Sequence, residues 1–254
     1  MNSLTVRALL VRGMLAGLAA GLLAFGLAYL IGEPGVNAGI AYEDAHTHEH
    51  GMELVSRALQ STAGLATAVL VFGTAVGGIT ALAFCFALGR IGRFGARATA
   101  ALVAAGAFAT VYLVPFLKYP ANPPGANDPA TIGKRTTLYF LMIALTVLLA
   151  LAAVILGRRL AGRWGNWNAT LAAATAFIAV TAVAMVFLPA VNETPKDFPA
   201  TALWQFRLAS LGIQALLWST FGAFFGYLAE RVLEPEPHTE QAPARAERTT
   251  AAAH

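Results

Sequence analysis

Six long stretches of this 254-residue chain contain no aspartate, glutamate, lysine or arginine. They cover residues 13–32, 58–89, 98–117, 136–157, 168–189 and 208–229. An α-helix needs about 20 apolar residues to cross roughly 30 Å of hydrocarbon, and each stretch is long enough for one crossing. Charged residues make up only 12% of the chain, against about 25% in soluble domains. The sequence therefore predicts an all-α membrane protein with six transmembrane helices.

The charges between these stretches are distributed unevenly. The N-terminus and the second and fourth connections carry eight basic residues and no acidic ones: Arg7, Arg12, Arg90, Arg93, Arg97, Arg158, Arg159 and Arg163. The other three connections carry six basic and eight acidic residues. Because basic connections stay on the cytoplasmic side, both termini are predicted inside. The alternative, a cleaved signal peptide, is disfavoured because residues 13–32 exceed the 7–15 apolar residues of a signal core.

The six stretches form three predicted two-helix hairpins. Each hairpin turns outside through a loop that contains proline and asparagine, at residues 33–37, 118–124 and 189–193. Glycines spaced four apart, at Gly13, Gly17 and Gly21 and at Gly73 and Gly77, predict close helix packing within the chain, with dimer or partner contact as the alternative. Residues 1–233 are thus one transmembrane domain. Residues 234–254, rich in proline, alanine and charge, are predicted to be a disordered cytoplasmic tail.

Three of the five histidines lie together in the first outer connection. Imidazole and carboxylate groups are ligands for cobalt, nickel and zinc, and the negative charge of the carboxylates attracts cations. The predicted metal ligands are Glu43, Asp44, His46, His48 and His50. The alternative is a solvated segment whose histidines only titrate near neutral pH. An enzymatic metal centre is disfavoured, because no nucleophile pattern accompanies these residues.

An arginine precedes each even-numbered stretch, at Arg57, Arg135 and Arg207. The positive end of the helix dipole disfavours a cation there, so another interaction must hold these side chains. One explanation is anchoring to lipid headgroups. The other is pairing with acidic residues of the outer loops, namely Glu33, Glu53, Asp128, Glu193 and Asp197.

Two of the outer connections carry long runs that resemble one known family. The runs are Phe116 to Gly125, Asp128-Pro129, Arg135-Thr136, Leu188 to Glu193, Asp197 to Pro199 and Leu203 to Ser210, and Tyr42-Glu43 before the histidines is a further likeness. With these residues the chain resembles the predicted cobalt transporter subunit family CbtA, over nearly its whole length up to the tail. The family is described with five spans, whereas this chain offers six apolar stretches.

The resemblance implies a function and a partner. It implies a non-enzymatic component of cobalt uptake, associated with cobalamin synthesis, in the bacterial cytoplasmic (inner) membrane. A small one-helix subunit, CbtB, with a histidine-rich end would accompany it, and a homo-oligomer is left open. No permanently bound cofactor is expected, and the transported ion would be cobalt(II). Nucleic acid is not an expected partner.

The charges also bear on the mechanism of transport. The chain has no phosphate-binding loop of the G-x-x-x-x-G-K-[ST] type, so the membrane potential is the expected driving force. Since no carboxylate lies within a stretch, the cation path must use other groups. The predicted entrance and pathway residues are Gln60, Asn122, Asp128, Arg135, Asn192, Glu193, Asp197, Arg207 and Gln214. The alternative is an accessory or assembly subunit that does not itself conduct the ion.

Overall fold

The structure, a computed structural model, describes residues 2–46, 56–191 and 193–234. Within these ranges the regular elements are all helical. Five helices are long and apolar enough to cross a membrane: α1 (Ser3–His46), α2 (Arg57–Ala87), α3 (Ala96–Lys118), α4 (Pro129–Phe187) and α5 (Ala200–Leu233). The prediction of an all-α membrane protein is confirmed for the described part of the chain.

The fourth helix is folded back on itself. With 59 residues, a straight α4 would be about 90 Å long, roughly three times the thickness of the hydrocarbon layer. Gly165 interrupts it with φ 74° and ψ 161°, a conformation that glycine adopts without steric cost. A methyl group at Gly157 would lie 3.3 Å from the Ala173 Cβ, although 16 residues separate them. The sequence predicted two helices here, and the structure shows two helical arms that meet at Gly165.

A disulfide can test this fold-back. In a Cys85→Ser background, we expect Gly157→Cys and Ala173→Cys to oxidise to an intramolecular disulfide, because their Cβ atoms lie near the roughly 3.5–4.5 Å that the bond requires. The measurement is the loss of labelling by a thiol-reactive polymer, restored by reductant. A pair of cysteines at Gly157 and Ile178 is the control. Free thiols at 157 and 173 after oxidation would contradict the fold-back.

Four of the helices form the packed core. Helix α1 packs along α2 and α5, and α5 packs along α3, whereas α4 contacts mainly the C-terminal half of α3. The Phe84 and Phe225 rings are fully buried and meet edge to face at 5.1 Å. On α4, Leu148 and Ile178 are about two-thirds exposed, which suits a lipid-facing surface.

The closest helix contact joins α1 to α2 through glycines. A methyl group at Gly17 would overlap the Gly73 carbonyl oxygen, and one at Gly13 would lie 2.8 Å from the Gly77 carbonyl oxygen. The two backbones can approach this closely only because no side chain separates them. The predicted close packing within the chain is confirmed.

The residues at 33–37 are helical, so the predicted loop there is wrong. Helix α1 runs through Pro34 as far as His46. A proline lacks the amide hydrogen and its ring clashes with the carbonyl four residues earlier. Here a π-helical turn at Ala28–Gly32 directly precedes it, and the wider turn accommodates the ring. A second π turn, Phe108–Leu113, similarly precedes Pro115 in α3.

Candidate functional site

The loops between α3 and α4 and between α4 and α5 meet at one end of the bundle, which we call the loop end. The Tyr119 hydroxyl donates a hydrogen bond to the Pro189 carbonyl at 2.9 Å. Residues 123–125 pack on Gly39 of α1, so the last turns of α1 lie at the same end. Segments that are far apart in the sequence are therefore adjacent here.

Arg135 holds the two loops together. Its Nη1 lies 3.0 Å from Glu193 Oε2 and donates to Asn127 Oδ1 at 2.6 Å. Its Nη2 donates to the Pro120 carbonyl at 2.6 Å. The Thr131 hydroxyl lies 2.6 Å from Glu193 Oε1. The Glu193 side chain is only 1% exposed, so its charge is stabilised by these partners rather than by water.

Arg207 extends this assembly to α5. It donates to Asn122 Oδ1 at 2.8 Å and to the Ala121 carbonyl at 3.3 Å. Asn122 in turn donates to Asn127 Oδ1 at 3.3 Å. We call the whole assembly the Arg135 network; it consists of Asn122, Asn127, Thr131, Arg135, Glu193 and Arg207. Four predicted pathway residues thus bond to one another through this network.

The pairing explanation for the helix-start arginines is confirmed for two of them. Arg57 forms an ion pair with Glu33 and donates to Asn37 Oδ1 at 3.1 Å, and Arg135 pairs with Glu193. Arg207 instead uses the amide oxygen of Asn122. For Arg57 and Arg135, which lie near the starts of their helices, these bonds compensate for the positive end of the helix dipole. Arg207 lies further inside α5, seven residues after Ala200.

His46, the last residue of α1, faces the loop before α5. Its Nε2 lies 3.2 Å from Asp197 Oδ2, and its Nδ1 lies 2.8 Å from the Tyr42 carbonyl oxygen. The Tyr42 hydroxyl donates to Asp197 Oδ1 at 2.8 Å, and the Tyr42 ring stacks on the imidazole at 4.1 Å. The hydrogen bond from the Tyr42 hydroxyl is the largest effect that lowers the pKa of the Asp197 carboxyl. A hydrogen bond from the backbone N–H of Asp197 itself lowers this pKa further. We call His46 and Asp197 the His46 pair.

The other predicted metal ligands lie along α1 or beyond it. Glu43 and Asp44 are exposed on the last turn of α1. Glu43 is three residues before His46 and close to its helical face, whereas Asp44, two residues before, is not. His48, His50 and the predicted pathway residue Asn192 lie outside the described residues. Among the residues that the structure describes, no three or more His, Cys, Asp or Glu side chains are grouped to hold a metal ion.

The remaining predicted pathway residues have separate positions. Asp128 is exposed and caps the short helical turn Pro129–Thr131, where its Oδ1 accepts from the Ala130 N–H at 2.9 Å. Gln60 is the first residue of the π turn Gln60–Gly64 in α2. Gln214 is half-buried on α5. The Asp128 backbone carbonyl accepts a hydrogen bond from the Thr131 hydroxyl at 2.8 Å, so Asp128 contacts the Arg135 network through its backbone.

An open cavity of about 510 Å³ lies beside the Arg135 network, between α3 and α4. Its walls are largely aromatic, and Arg135 and Asn127 contribute polar groups. The aromatic lining residues are Tyr112, Phe116, Tyr119, Tyr139 and Phe140. Such a lining offers few of the oxygen and imidazole ligands that a divalent cation prefers.

Several residues of these assemblies were not predicted as site residues. Tyr42 had a usable signal, because a residue four positions before a helical histidine lies on the same helix face. Asn127 and Thr131 had none, since their partners come from loops whose relative position the sequence does not show. Tyr119 likewise meets Pro189 only in the folded chain.

Comparison with known protein families found a match over most of the chain. A family model described as probable cobalt transporter subunit (CbtA) matches residues 6–230. No curated protein and no solved structure matches the chain. The matched region contains the Arg135 network, the His46 pair and the five membrane-length helices, except the first three residues of α1 and the last three of α5. The chain therefore belongs to the CbtA family of probable cobalt transporter subunits.

Proposed function

We propose that this chain is the membrane-embedded component of a cobalt(II) uptake system in the bacterial cytoplasmic membrane. It captures the cation at the loop end, which faces outward, and passes it to the cytoplasm. Six crossings, with both arms of α4 spanning the bilayer, would place both termini inside. The family is one of transporter subunits, so we also propose a separate partner, a one-helix subunit of the CbtB type.

The observation that carries the proposal is the convergence of polar groups at the loop end. The Arg135 network fixes the loops over the helix ends, and the His46 pair sets an imidazole and a carboxylate side by side there. Glu43 and Asp44 add negative charge on the same turn, which raises the local cation concentration. His48 and His50, outside the described residues, would supply further imidazoles to incoming metal.

The membrane potential is sufficient to drive this influx. One elementary charge moving through 100 mV gains about 2.3 kcal/mol, so a divalent cation gains about 4.6 kcal/mol. Because about 1.4 kcal/mol corresponds to a tenfold ratio, this energy supports an inside excess of roughly three orders of magnitude. No nucleotide hydrolysis is needed for accumulation on that scale.

Reconstitution tests the proposed function. Liposomes that contain the purified chain should accumulate cobalt(II) when an inside-negative potential is imposed, and accumulation should stop when the potential is collapsed. Protein-free liposomes are the control. If cobalt(II) accumulates at the same rate with and without the chain and its partner, the proposal is wrong.

A second candidate function, an accessory subunit, is favoured by two of the threonines buried among the helices, Thr146 and Thr80. The Thr146 hydroxyl lies 2.6 Å from the Thr110 carbonyl oxygen, across the contact between α4 and α3. The Thr80 hydroxyl donates to Val76 of its own helix at 2.7 Å. These groups stabilise helices and their packing, rather than being free for an ion. In the same liposomes, influx with the partner but none with this chain alone would select the accessory function.

A further inference from the structure

The His46 pair brings one nitrogen and one oxygen ligand together from distant parts of the sequence. His46 ends α1, and Asp197 lies in the loop before α5, yet Nε2 and Oδ2 are 3.2 Å apart. Both side chains are more than half exposed, at 51% and 63%. An ion from the aqueous phase can therefore reach the space beside both atoms.

The imidazole has a defined orientation. A carbonyl oxygen only accepts hydrogen bonds, so the 2.8 Å contact with the Tyr42 carbonyl places the hydrogen on Nδ1. In the neutral ring Nε2 then carries the lone pair, and it points toward Asp197. Metal-binding histidines characteristically use this arrangement, in which the other ring nitrogen donates to a backbone carbonyl and sets the tautomer. Stacking on Tyr42 fixes the plane of the ring.

The carboxylate is oriented by the same tyrosine. The Tyr42 hydroxyl occupies Asp197 Oδ1, which leaves Oδ2 directed at His46. Two electron-pair donors facing each other at 3.2 Å repel unless a positive charge lies between or beside them. That charge is either a proton on Nε2 or a cation bound by both atoms.

The separation suits a metal ion. Nitrogen and oxygen ligands bind such ions at about 2.1 Å, so adjacent ligands are about 3.0 Å apart at octahedral angles and about 3.4 Å apart at tetrahedral angles. The observed 3.2 Å lies between these values. We propose that His46 Nε2 and Asp197 Oδ2 bind one divalent transition-metal ion as neighbouring ligands, with Tyr42 as the positioning residue for both.

The chemistry of the pair also defines the class of ion. An imidazole ligand favours cobalt, nickel and zinc, whereas magnesium and calcium prefer oxygen ligands alone. The pair therefore distinguishes transition metals from the more abundant hard cations. Its role as the first capture point rests on the proposed function, whereas the site itself rests on the geometry of these three residues.

Binding to the full-length chain tests the site directly. We would titrate cobalt(II) into the protein in lipid nanodiscs at pH 7.5, in a His48→Ala/His50→Ala background that removes the neighbouring imidazoles. Both calorimetry and the visible absorption of the bound cobalt would be followed. Saturable binding is expected, with His46→Ala, His46→Gln and Asp197→Asn each weakening it at least tenfold. A millimolar excess of magnesium should not compete.

Two further variants distinguish direct metal binding from general attraction of cations by negative charge, and test the positioning role of Tyr42. Glu234→Gln removes one exposed negative charge at the C-terminal end of α5, away from the loop end, and should leave cobalt affinity unchanged. Tyr42→Phe keeps the ring stack but loses the bond to Asp197, so it should weaken binding severalfold and shift the cobalt absorption band.

The outcomes also separate this inference from the proposed function. Cobalt affinity that is unchanged in His46→Ala and Asp197→Asn, or that is already absent in the background protein, would overturn the site and leave only an imidazolium–carboxylate ion pair. Liposome influx would remain the independent test of transport. If His46→Ala loses cobalt binding but cobalt influx is unchanged, the metal site exists but takes no part in transport.

Discussion

Replacing Glu193 by glutamine is expected to lower the free energy of unfolding by about 3–5 kcal/mol, because the change leaves a largely buried guanidinium without its carboxylate. The Glu193 side chain is 1% exposed and that of Arg135 is 23% exposed, so water replaces the lost partner only in part. The Thr131 hydroxyl loses a charged acceptor as well. Denaturant unfolding of the purified protein in detergent micelles would measure the loss.

The matched control is Glu230→Gln, which breaks the ion pair with Arg97 near the opposite end of the bundle. There the two side chains are 61% and 32% exposed, and exposed pairs contribute about 1 kcal/mol or less. The double variant Glu193→Gln/Arg135→Gln should recover part of the loss, because no unpaired charge remains. Equal losses for the 193 and 230 variants would contradict the structural role of the Arg135 network.

Replacing Gly17 by leucine is expected to prevent α1 from packing on α2, with loss of most folded protein. Even an added methyl group would overlap the Gly73 carbonyl oxygen and would lie 3.0 Å from the Gly77 Cα. These are backbone atoms, which cannot move aside without separating the helices. Gly17→Ala should therefore cost about 1–3 kcal/mol, the usual range for overpacking. Size-exclusion chromatography and denaturant unfolding would report both effects.

Gly26 provides the control on the same helix. A methyl group there meets no atom within 4 Å, and alanine is favoured over glycine within a helix by about 0.5–1 kcal/mol. Gly26→Ala should leave stability unchanged or raise it slightly, and Gly26→Leu should fold. A Gly17→Ala protein as stable as Gly26→Ala would show that the two helices are not in this close contact.

The sequence was informative wherever a local property decided the structure. Hydropathy identified the membrane-length helices, because each must satisfy its own backbone hydrogen bonds in hydrocarbon. It failed at residues 33–37, since the rule that proline breaks a helix does not anticipate the π turn Ala28–Gly32 that accommodates Pro34. It also separated the two arms of α4 without revealing that they pack together beyond Gly165.

For the candidate site, the sequence identified residue types better than partners. Glu193 and Arg135 were both named, and their pairing was one of two explanations offered for the arginine. Asn122 is a predicted pathway residue, and the structure adds that it accepts a hydrogen bond from Arg207. The hydrogen-bond partner of each residue depends on which loop lies over which helix end. The spacing of residues within one segment does not encode this arrangement.

What the sequence determined by itself is the membrane class, the approximate helix stretches and the resemblance to the family, because each is read from runs of neighbouring residues. The tertiary structure decided that the glycines of α1 pack on those of α2. The tertiary structure alone decided that His46 faces Asp197 and that Tyr42 orients both. Those contacts join the end of the first helix to the loop before the last one. Their geometry follows from how the helices pack, because no spacing within one segment places the end of α1 beside the loop before α5.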